Sequence, residues 1–424
     1  MKKLLLILLL LPLELHAYDF EFEGCGYKVL SMTERTVELE SYLDRELTGD
    51  FIVPENIMYA DMEFKVTKIG KGAFRYSKLN SITVLNGISE IGPYAFEGCK
   101  NLSEFIWPES AETINESTFY DCINLKSVIL PSTLKAIKGN IFFNVSGIGS
   151  KGAFEHCISL HDIKLPEGLQ ELDGSTFAYC GSLKSIDLPH SLREISTATF
   201  YSSGLNSIDI PDSIISIGNK AFYDCSGLTS ATIPNSVREI GDEAFSGCSS
   251  LVEVIIPDSS EITKFGYRVF DGTAIAHINM PINLLAIEKA WYDSDYWTFS
   301  SKLKSISLPN VINTMNNGCY RNYELEKVYS RNRNPEAISE NAFHINTLLN
   351  GVLYVPEGMD DIYKSLDGWK LFRNIQEYSP TDIDIISNDT QDSSILYDLS
   401  GKRVSENYVS PGLYIKNKRK IILK

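Results

Sequence analysis

Trp291, Tyr292, Tyr296 and Trp297 crowd into one short stretch, and they are the side chains here best suited to gripping a partner. Aromatic residues dominate the energetics of protein–protein hot spots, and the same rings stack on sugars. The competing reading is that two or more of them fold back and cover a bulge in the core. These four are the candidate partner-binding residues. Gly147-Ile148-Gly149-Ser150-Lys151-Gly152 matches G-x-G-x-x-G. That motif holds a pyrophosphate only when a strand precedes it and a helix follows. Here it runs straight into Ala153-Phe154, so a flexible glycine-rich loop is expected and no dinucleotide.

Other chemistry is sparse. Of six histidines, His16 lies in a leader. His156, His161, His190, His277 and His344 are scattered, with no H-E-x-x-H pair to hold zinc. Each reads as a solvated variant. No G-x-S-x-G nucleophile elbow occurs. Asp162, Asp187 and Asp209 are expected to line up as a weakly acidic strip. Carboxylates become catalytic in clefts that perturb them, and a flat sheet has none. A solvated face is the reading, with a divalent-cation site as the lesser alternative. No catalytic residue, no metal site, no cofactor and no enzyme activity are expected.

The eight cysteines look at first like a disulfide framework. Their spacing says otherwise. Cys99, Cys122, Cys157, Cys180, Cys225 and Cys248 each fall three residues after a Phe. Elsewhere Ser77, Ser203 or Thr273 takes that place, which a bridge would not allow. Free, buried thiols filling one column are expected, with a pair such as Cys99 and Cys122 on adjacent rungs not excluded.

What positions all these residues is a repeat. Leu228 to Cys248 reads L-T-S-A-T-I-P-N-S-V-R-E-I-G-D-E-A-F-S-G-C, and Leu205 to Cys225 follows the same frame. A fixed period of roughly 20–30 residues marks a solenoid whose stacked turns share one core. The frame aromatic recurs at Phe74, Phe96, Phe119, Phe154, Phe177, Phe200, Phe222, Phe245, Phe270, Phe299, Tyr320 and Phe343. Stretches such as Leu183 to Leu188 alternate and stop at Pro189, as a short strand would. Stacking them in parallel predicts a flat sheet along one side of a rod roughly 55–60 Å long. Two repeats are swollen, by insertions within Lys138 to Lys151 and Ile287 to Thr298. In solenoids such insertions become loops, often on the binding face.

The frame I-P-x-S-[LIV]-x-x-I-G-x-x-A-F-x-x-C-x-x-L resembles the BspA-type leucine-rich repeat of secreted proteins from Bacteroidetes and other microbes. The opening Tyr18-Asp19-Phe20 with Tyr27 is similar to the usual N-terminal cap of that group. Leu353-Tyr354-Val355-Pro356 with Asp367-Gly368-Trp369 is similar to its closing segment. The end, Tyr397-Asp398-Leu399-Ser400-Gly401-Lys402-Arg403-Val404 and Pro411-Gly412-Leu413-Tyr414-Ile415, is similar to C-terminal sorting domains of the type IX secretion system, though shorter. The resemblance implies a cell-surface or secreted interaction protein of a group linked to adhesion to host matrix proteins and to other bacteria. It implies no catalytic residue.

The fold class expected is therefore a β-rich leucine-rich-repeat solenoid with short parallel strands, capped at both ends. The expected organisation is a signal peptide at 1–17, an N-terminal β cap at 18–68, the solenoid at 69–351, a C-terminal cap at 352–378, a linker at 379–394 and a small β tail at 395–424. The leader combines Lys2 and Lys3 with an apolar run from Leu4 to Leu13 and ends in Ala17, and cleavage there leaves Tyr18 first. Cys25 lies in a poor lipobox context, so no lipid anchor is expected. A net charge of −16 argues against nucleic acid and against an anionic membrane surface. No other stretch is apolar for long enough to insert in a bilayer. The functional expectation is an exported monomer on the outer cell face or outside it. It binds a protein partner, a host matrix or bacterial surface protein, with a glycan-binding accessory role in a surface nutrient system as the alternative.

Overall fold

A computed structural model describes residues 18–46, 48–144, 147–257, 259–282, 284, 286–287, 302–310, 325–379, 396–397, 403–404, 412–416 and 419–423. The repeats stack as a solenoid built almost wholly from short parallel strands. Each turn of chain makes three contributions. One strand of the alternating stretch pairs with its copies, as Ser127–Ile129 does with Glu104–Ile106 and Asp162–Ile163. A two-residue strand at the Ile of the frame builds a second parallel row. It runs through Glu194–Ile195, Ser216–Ile217, Glu239–Ile240, Lys264–Phe265 and Ala286–Ile287. A tight arc carrying Ala-Phe-x-x-Cys closes the third side. Two strand rows thus replace the single sheet expected. From Leu183 to Leu188 the expected strand shrinks to one bridge, Asp187 to Asp209.

Both the inward residues and their columns follow the frame. Leu183, Ile186, Leu188, Leu192, Ile195 and Phe200 are all buried. The phenylalanines stack rung on rung without a break from Phe74 to Phe270. Ring centroids there lie 5.0–5.8 Å apart and planes are 5–22° off parallel. Offset stacking of this kind adds about 0.5–1.5 kcal/mol per pair beyond area burial. Phe299 and Tyr320 lie outside the described residues. Phe343 leaves the ladder and packs on Trp369 and Phe372 at 6.0 and 5.1 Å.

The arc carries backbone strain in register. The residues two before and two after each column Phe from Phe74 to Phe270 are left-handed, as Ser175 (φ 59°) and Tyr179 (φ 60°) are around Phe177, except at Gly152 where the hairpin enters the rung. Such a φ costs a non-glycine residue roughly 1–2 kcal/mol. Hydrogen bonds to the next rung offset it. Ser175, Phe177 and Tyr179 N–H groups donate to the carbonyls of Thr197, Thr199 and Tyr201 at 3.1, 2.9 and 2.8 Å.

Seven cysteines are free and buried; Cys319 lies outside the described residues. The column does more than fill space. Cys99, Cys122, Cys157, Cys180, Cys225 and Cys248 each donate an S–H to the Phe carbonyl of the preceding rung at 3.0–3.2 Å. Thr273 differs, its Oγ1 donating within its own rung to the Phe270 carbonyl at 2.8 Å.

The glycine-rich stretch is not a loop. Gly147–Gly152 is a strand, paired antiparallel with Gly139–Asn144 from Gly139↔Gly152 to Asn144↔Gly147. The insertion is therefore a hairpin extruded from one rung. Its departure leaves Phe119 and Phe154 stacked at 5.4 Å and 7°. The acidic strip is also shorter than expected. Asp187 and Asp209 are register partners. Asp162 stands opposite Ser127 in another column, because the intervening buried residue puts it two positions out of phase.

At the N-terminus, Phe20–Phe22, Cys25–Ser31, Thr36–Tyr42, Met62–Ile69 and Asn56–Tyr59 form a mixed sheet in that order. The cap feeds both rows, since Met62–Ile69 of this sheet pairs with Glu90–Ile91, and Asp50–Ile52, outside it, pairs with Ser81–Thr83. At the other end the first row continues through Ser305–Leu308, Lys327–Ser330, Val352–Pro356 and Asn374–Tyr378. Trp369, buried, anchors this end by donating its indole N–H to the Glu336 carbonyl at 2.9 Å. Asp360–Ser365 is a short helix, and Trp369–Leu371 forms a separate 3₁₀ turn. In the tail, Leu396–Tyr397, Arg403–Val404, Gly412–Lys416 and Arg419–Leu423 make an antiparallel sheet. The linker expected at 379–394 lies, beyond residue 379, outside the described residues.

Three rungs are a residue short between their Phe and the next aliphatic residue, at Phe74 to Leu79, Phe200 to Leu205 and Phe270 to Ile275. In the second of these Gly204 absorbs the difference. A Cβ there would sit 1.9 Å from the Gly181 carbonyl oxygen, whereas at Gly227 the nearest atom is the movable Asn206 Oδ1 at 2.5 Å. Gly204→Ala is expected to destabilise by about 1–3 kcal/mol through overpacking, and Gly227→Ala by well under half of that. Urea unfolding of both variants checks this, and equal effects would contradict it.

Candidate interaction surface

The two residues after each column Phe lie along the arc, the first of them buried in some rungs, as Glu97, Glu155, Ala178 and Ser246 are. In five consecutive rungs an aromatic takes one of these places. Tyr120, Tyr201 and Tyr223 directly follow their Phe, while His156 and Tyr179 come one residue later. Because the left-handed residue turns the chain within two positions, both placements reach one line. Successive centroids are 5.6, 4.3, 5.4 and 4.9 Å apart. His156 on Tyr179 and Tyr201 on Tyr223 are nearly coplanar stacks, at 6° and 11°. The result is a ribbon of rings about 20 Å long at the ~4.8 Å rung pitch. All five residues are partly open to solvent, Tyr179 to 37%.

Carboxylates run beside the ribbon. Glu155 is buried and accepts from the Gly152 N–H at 2.9 Å. Glu243, also buried, faces Lys220 at 3.1 Å and Arg268 at 3.7 Å. Asp121 pairs with Lys100 at 3.0 Å. Burial pushes the Tyr120, Tyr179 and Tyr223 hydroxyls above the usual tyrosine range, helped next by Glu155 at Tyr120 and Tyr179 and by Asp224 at Tyr223. For Tyr201 the causes are burial and then its two tyrosine neighbours. Asp224, exposed, has its carboxyl pushed up by partial desolvation and then by Glu243.

The N-terminal end differs. Before the hairpin, Tyr76 and Tyr94 are covered by the chain's own cations. The Arg75 guanidinium lies 4.8 Å over Tyr76, and Lys151 and Lys71 lie 4.7 and 5.4 Å over Tyr94. Arg75 and the Tyr76 hydroxyl both reach buried Glu97, at 2.8 and 3.2 Å.

The first strand row offers a second, less continuous surface. Ile52, Ile106 and Ile129 are 62%, 63% and 59% exposed on its outer face. The matching positions become Lys164, Asp187 and Asp209 further along, all exposed, so the apolar strip is interrupted there and returns only at Ile255.

Trp291, Tyr292, Tyr296 and Trp297 lie outside the described residues. The ribbon was missed by sequence reasoning. His156 read as a solvated variant, yet it is a ring of the ribbon. His344 caps the helix Ile345–Asn350 by accepting from the Asn346 N–H at 3.1 Å. His277 Nδ1 meets Ser305 Oγ at 2.7 Å. His161 and His190 stay exposed. A signal existed in the five F-Y and F-x-[YH] steps, but it appears only if the two offsets are known to converge. Among the described residues no group of three or more His, Cys, Asp or Glu is placed to hold a metal ion. No helix among them is long and apolar enough to cross a membrane.

The model of the BspA type leucine rich repeat region matches six copies, over residues 54–150, 146–262 and 215–350. A leucine-rich repeat protein from Bacteroides ovatus shares the fold with a TM-score of 0.52 at 20% identity, covering 85% of this chain and 90% of that one. A leucine rich cell surface protein from Faecalibacterium prausnitzii is 19% identical, with a TM-score of 0.44, covering 88% and 98%. The pneumococcal vaccine antigen PcpA is 18% identical, with a TM-score of 0.48, covering 85% and 98%. No curated protein sequence matches.

Proposed function

The chain belongs to the BspA-type leucine-rich repeat family, and from that premise we propose that it is an exported, non-catalytic interaction protein. It docks a protein partner along its tyrosine ribbon. Residues 1–17 direct export and are removed after Ala17. The solenoid acts as a monomer at the cell surface or beyond it, adhering to a host matrix or bacterial surface protein. The short tail serves as a sorting signal of the type IX kind, as in Bacteroidetes.

The observation that carries the reading is the line from Tyr120 to Tyr223. Tyrosine gives large, rigid, amphipathic contact area at low entropy cost. Here the rings lie against one another. Much of the ring face is thereby occupied, and edges and hydroxyls are what a ligand meets. That suits a polypeptide better than a sugar, which needs a free face. The double variant Tyr179→Ser, Tyr201→Ser is expected to lose at least ~10-fold in affinity for a panel of matrix and bacterial surface proteins. An unchanged affinity in a folded variant would move the site off the ribbon.

Trp291 and Trp297 support the second reading, a glycan-binding accessory, because four aromatics sit within one insertion. A glycan array comparing wild type with the double variant Trp291→Ala, Trp297→Ala separates the two. No signal above background removes the glycan reading.

A further inference from the structure

We propose that the ribbon recognises a basic peptide segment, a stretch of its protein partner with Lys or Arg at alternate positions. This rests on the ribbon being the interaction surface, and it adds the chemistry of what lies there.

The chain itself displays the recognition unit. Two rungs before the ribbon begins, Arg75 lies over the Tyr76 ring while its guanidinium reaches buried Glu97, which also receives the Tyr76 hydroxyl. A tyrosine face, a carboxylate and a cation thus close on one another. The same parts recur along the ribbon. Tyr223 is flanked by Asp224 and buried Glu243, Asp224 also acts on Tyr201, and Tyr179 feels buried Glu155 and then Asp224. Lys220 supplies a cation to Tyr223 at 5.3 Å. At Tyr179 and Tyr201 a neighbouring ring takes the place that Arg75 takes over Tyr76, so an arriving cation meets ring edges, hydroxyls and the exposed carboxylate of Asp224, which forms no ion pair among the described residues.

The dimensions select an extended segment. A ribbon of about 20 Å matches roughly six residues of extended chain, with side chains on one face every ~6.8 Å. Two or three cations spaced i, i+2, i+4 then fall along it, their aliphatic stems against the ring edges. Asp224, already disfavoured as an anion by partial burial and then by Glu243, gains most from an arriving cation. The chain's net charge of −16 steers such a segment in.

The test uses the full chain and two labelled hexapeptides, one alternating Arg with Thr and one alternating Glu with Thr, followed by fluorescence anisotropy. The arginine peptide is expected to bind, with affinity falling at least ~5-fold between 50 and 300 mM salt. The glutamate peptide is expected not to bind. Asp224→Asn suits the left-handed backbone (φ 55° at Asp224), since Asn tolerates it. It and Tyr201→Ser should each weaken the arginine peptide at least ~5-fold, while the double variant Asp187→Asn, Asp209→Asn on the strand face leaves it unchanged. Equal weakening by the strand-face variant would mean diffuse attraction to an acidic protein, and the proposal fails. It fails too if the two peptides bind alike. If a protein partner depends on Tyr179 and Tyr201 yet ignores salt and Asp224→Asn, the interaction surface stands and its basic ligand does not.

Discussion

Phe177→Ala is expected to cost about 3–5 kcal/mol, the usual range for emptying a buried aromatic site. Phe177 is wholly buried between Phe154 and Phe200, with centroids at 5.6 and 5.8 Å and planes within 8°. The gap resists collapse because the Phe177 N–H is tied to the Thr199 carbonyl and the Phe154 N–H to Thr176. Those bonds hold the rungs at their pitch. In a solenoid stability is a sum of rung and nearest-neighbour terms, so the loss falls on two interfaces at once. Urea unfolding gives the measurement, and a loss below about 1 kcal/mol would mean the ladder is not what holds the rungs together.

Raising the pH from 8 to 10 is expected to destabilise the protein far more than it would a chain of this size without buried thiols. Burial pushes Cys25 and Cys99 up to about 12 and Cys225 to about 11. It raises Cys122, Cys157 and Cys248 well above the ordinary thiol value, and Cys180 in the same direction. An unfolded thiol ionises near pH 8.5. Above that pH the unfolded chain binds fewer protons than the folded one, so stability falls as pH rises. The contribution is complete below about pH 8.5 and is lost as the pH climbs towards the folded values. Each such thiol removes roughly 1.4 kcal/mol per pH unit, and the described thiols together withdraw on the order of 10 kcal/mol by pH 10. That rivals the whole stability of a typical domain. Buried Tyr363, pushed up to about 12, adds in the same direction above pH 10. The triple variant Cys122→Ser, Cys157→Ser, Cys180→Ser should show a clearly shallower fall in urea midpoint across pH 8, 9 and 10. Parallel curves would mean the thiols ionise inside the fold.

The columns were legible because they repeat. Phe, Cys and Ile recur at the same frame positions, and stacking sends every copy to one place. The absence of bridging followed from Ser77, Ser203 and Thr273 standing in for Cys. The donation of each S–H to a Phe carbonyl did not, since it depends on the arc bending the thiol back towards the preceding rung. The hairpin at Gly139 to Gly152 was hidden because its glycines suggested a loop, and pairing between two such segments is a tertiary fact. The second strand row was hidden by its length, as two residues carry no periodicity.

The amino-acid sequence by itself determined the solenoid, its inward columns and the family, because burial acts on each repeat alike and leaves the same mark many times. Only the tertiary structure decided which outward residues meet. Tyr120, His156, Tyr179, Tyr201 and Tyr223 occupy two offsets from their Phe, in a part of the frame that packing leaves free to vary. Left-handed residues at Asp121, His156, Tyr179, Ser202 and Asp224 bring both offsets onto one line. A surface is made by convergence of positions that no inward force constrains, so its pattern is written in the turn geometry rather than in the period.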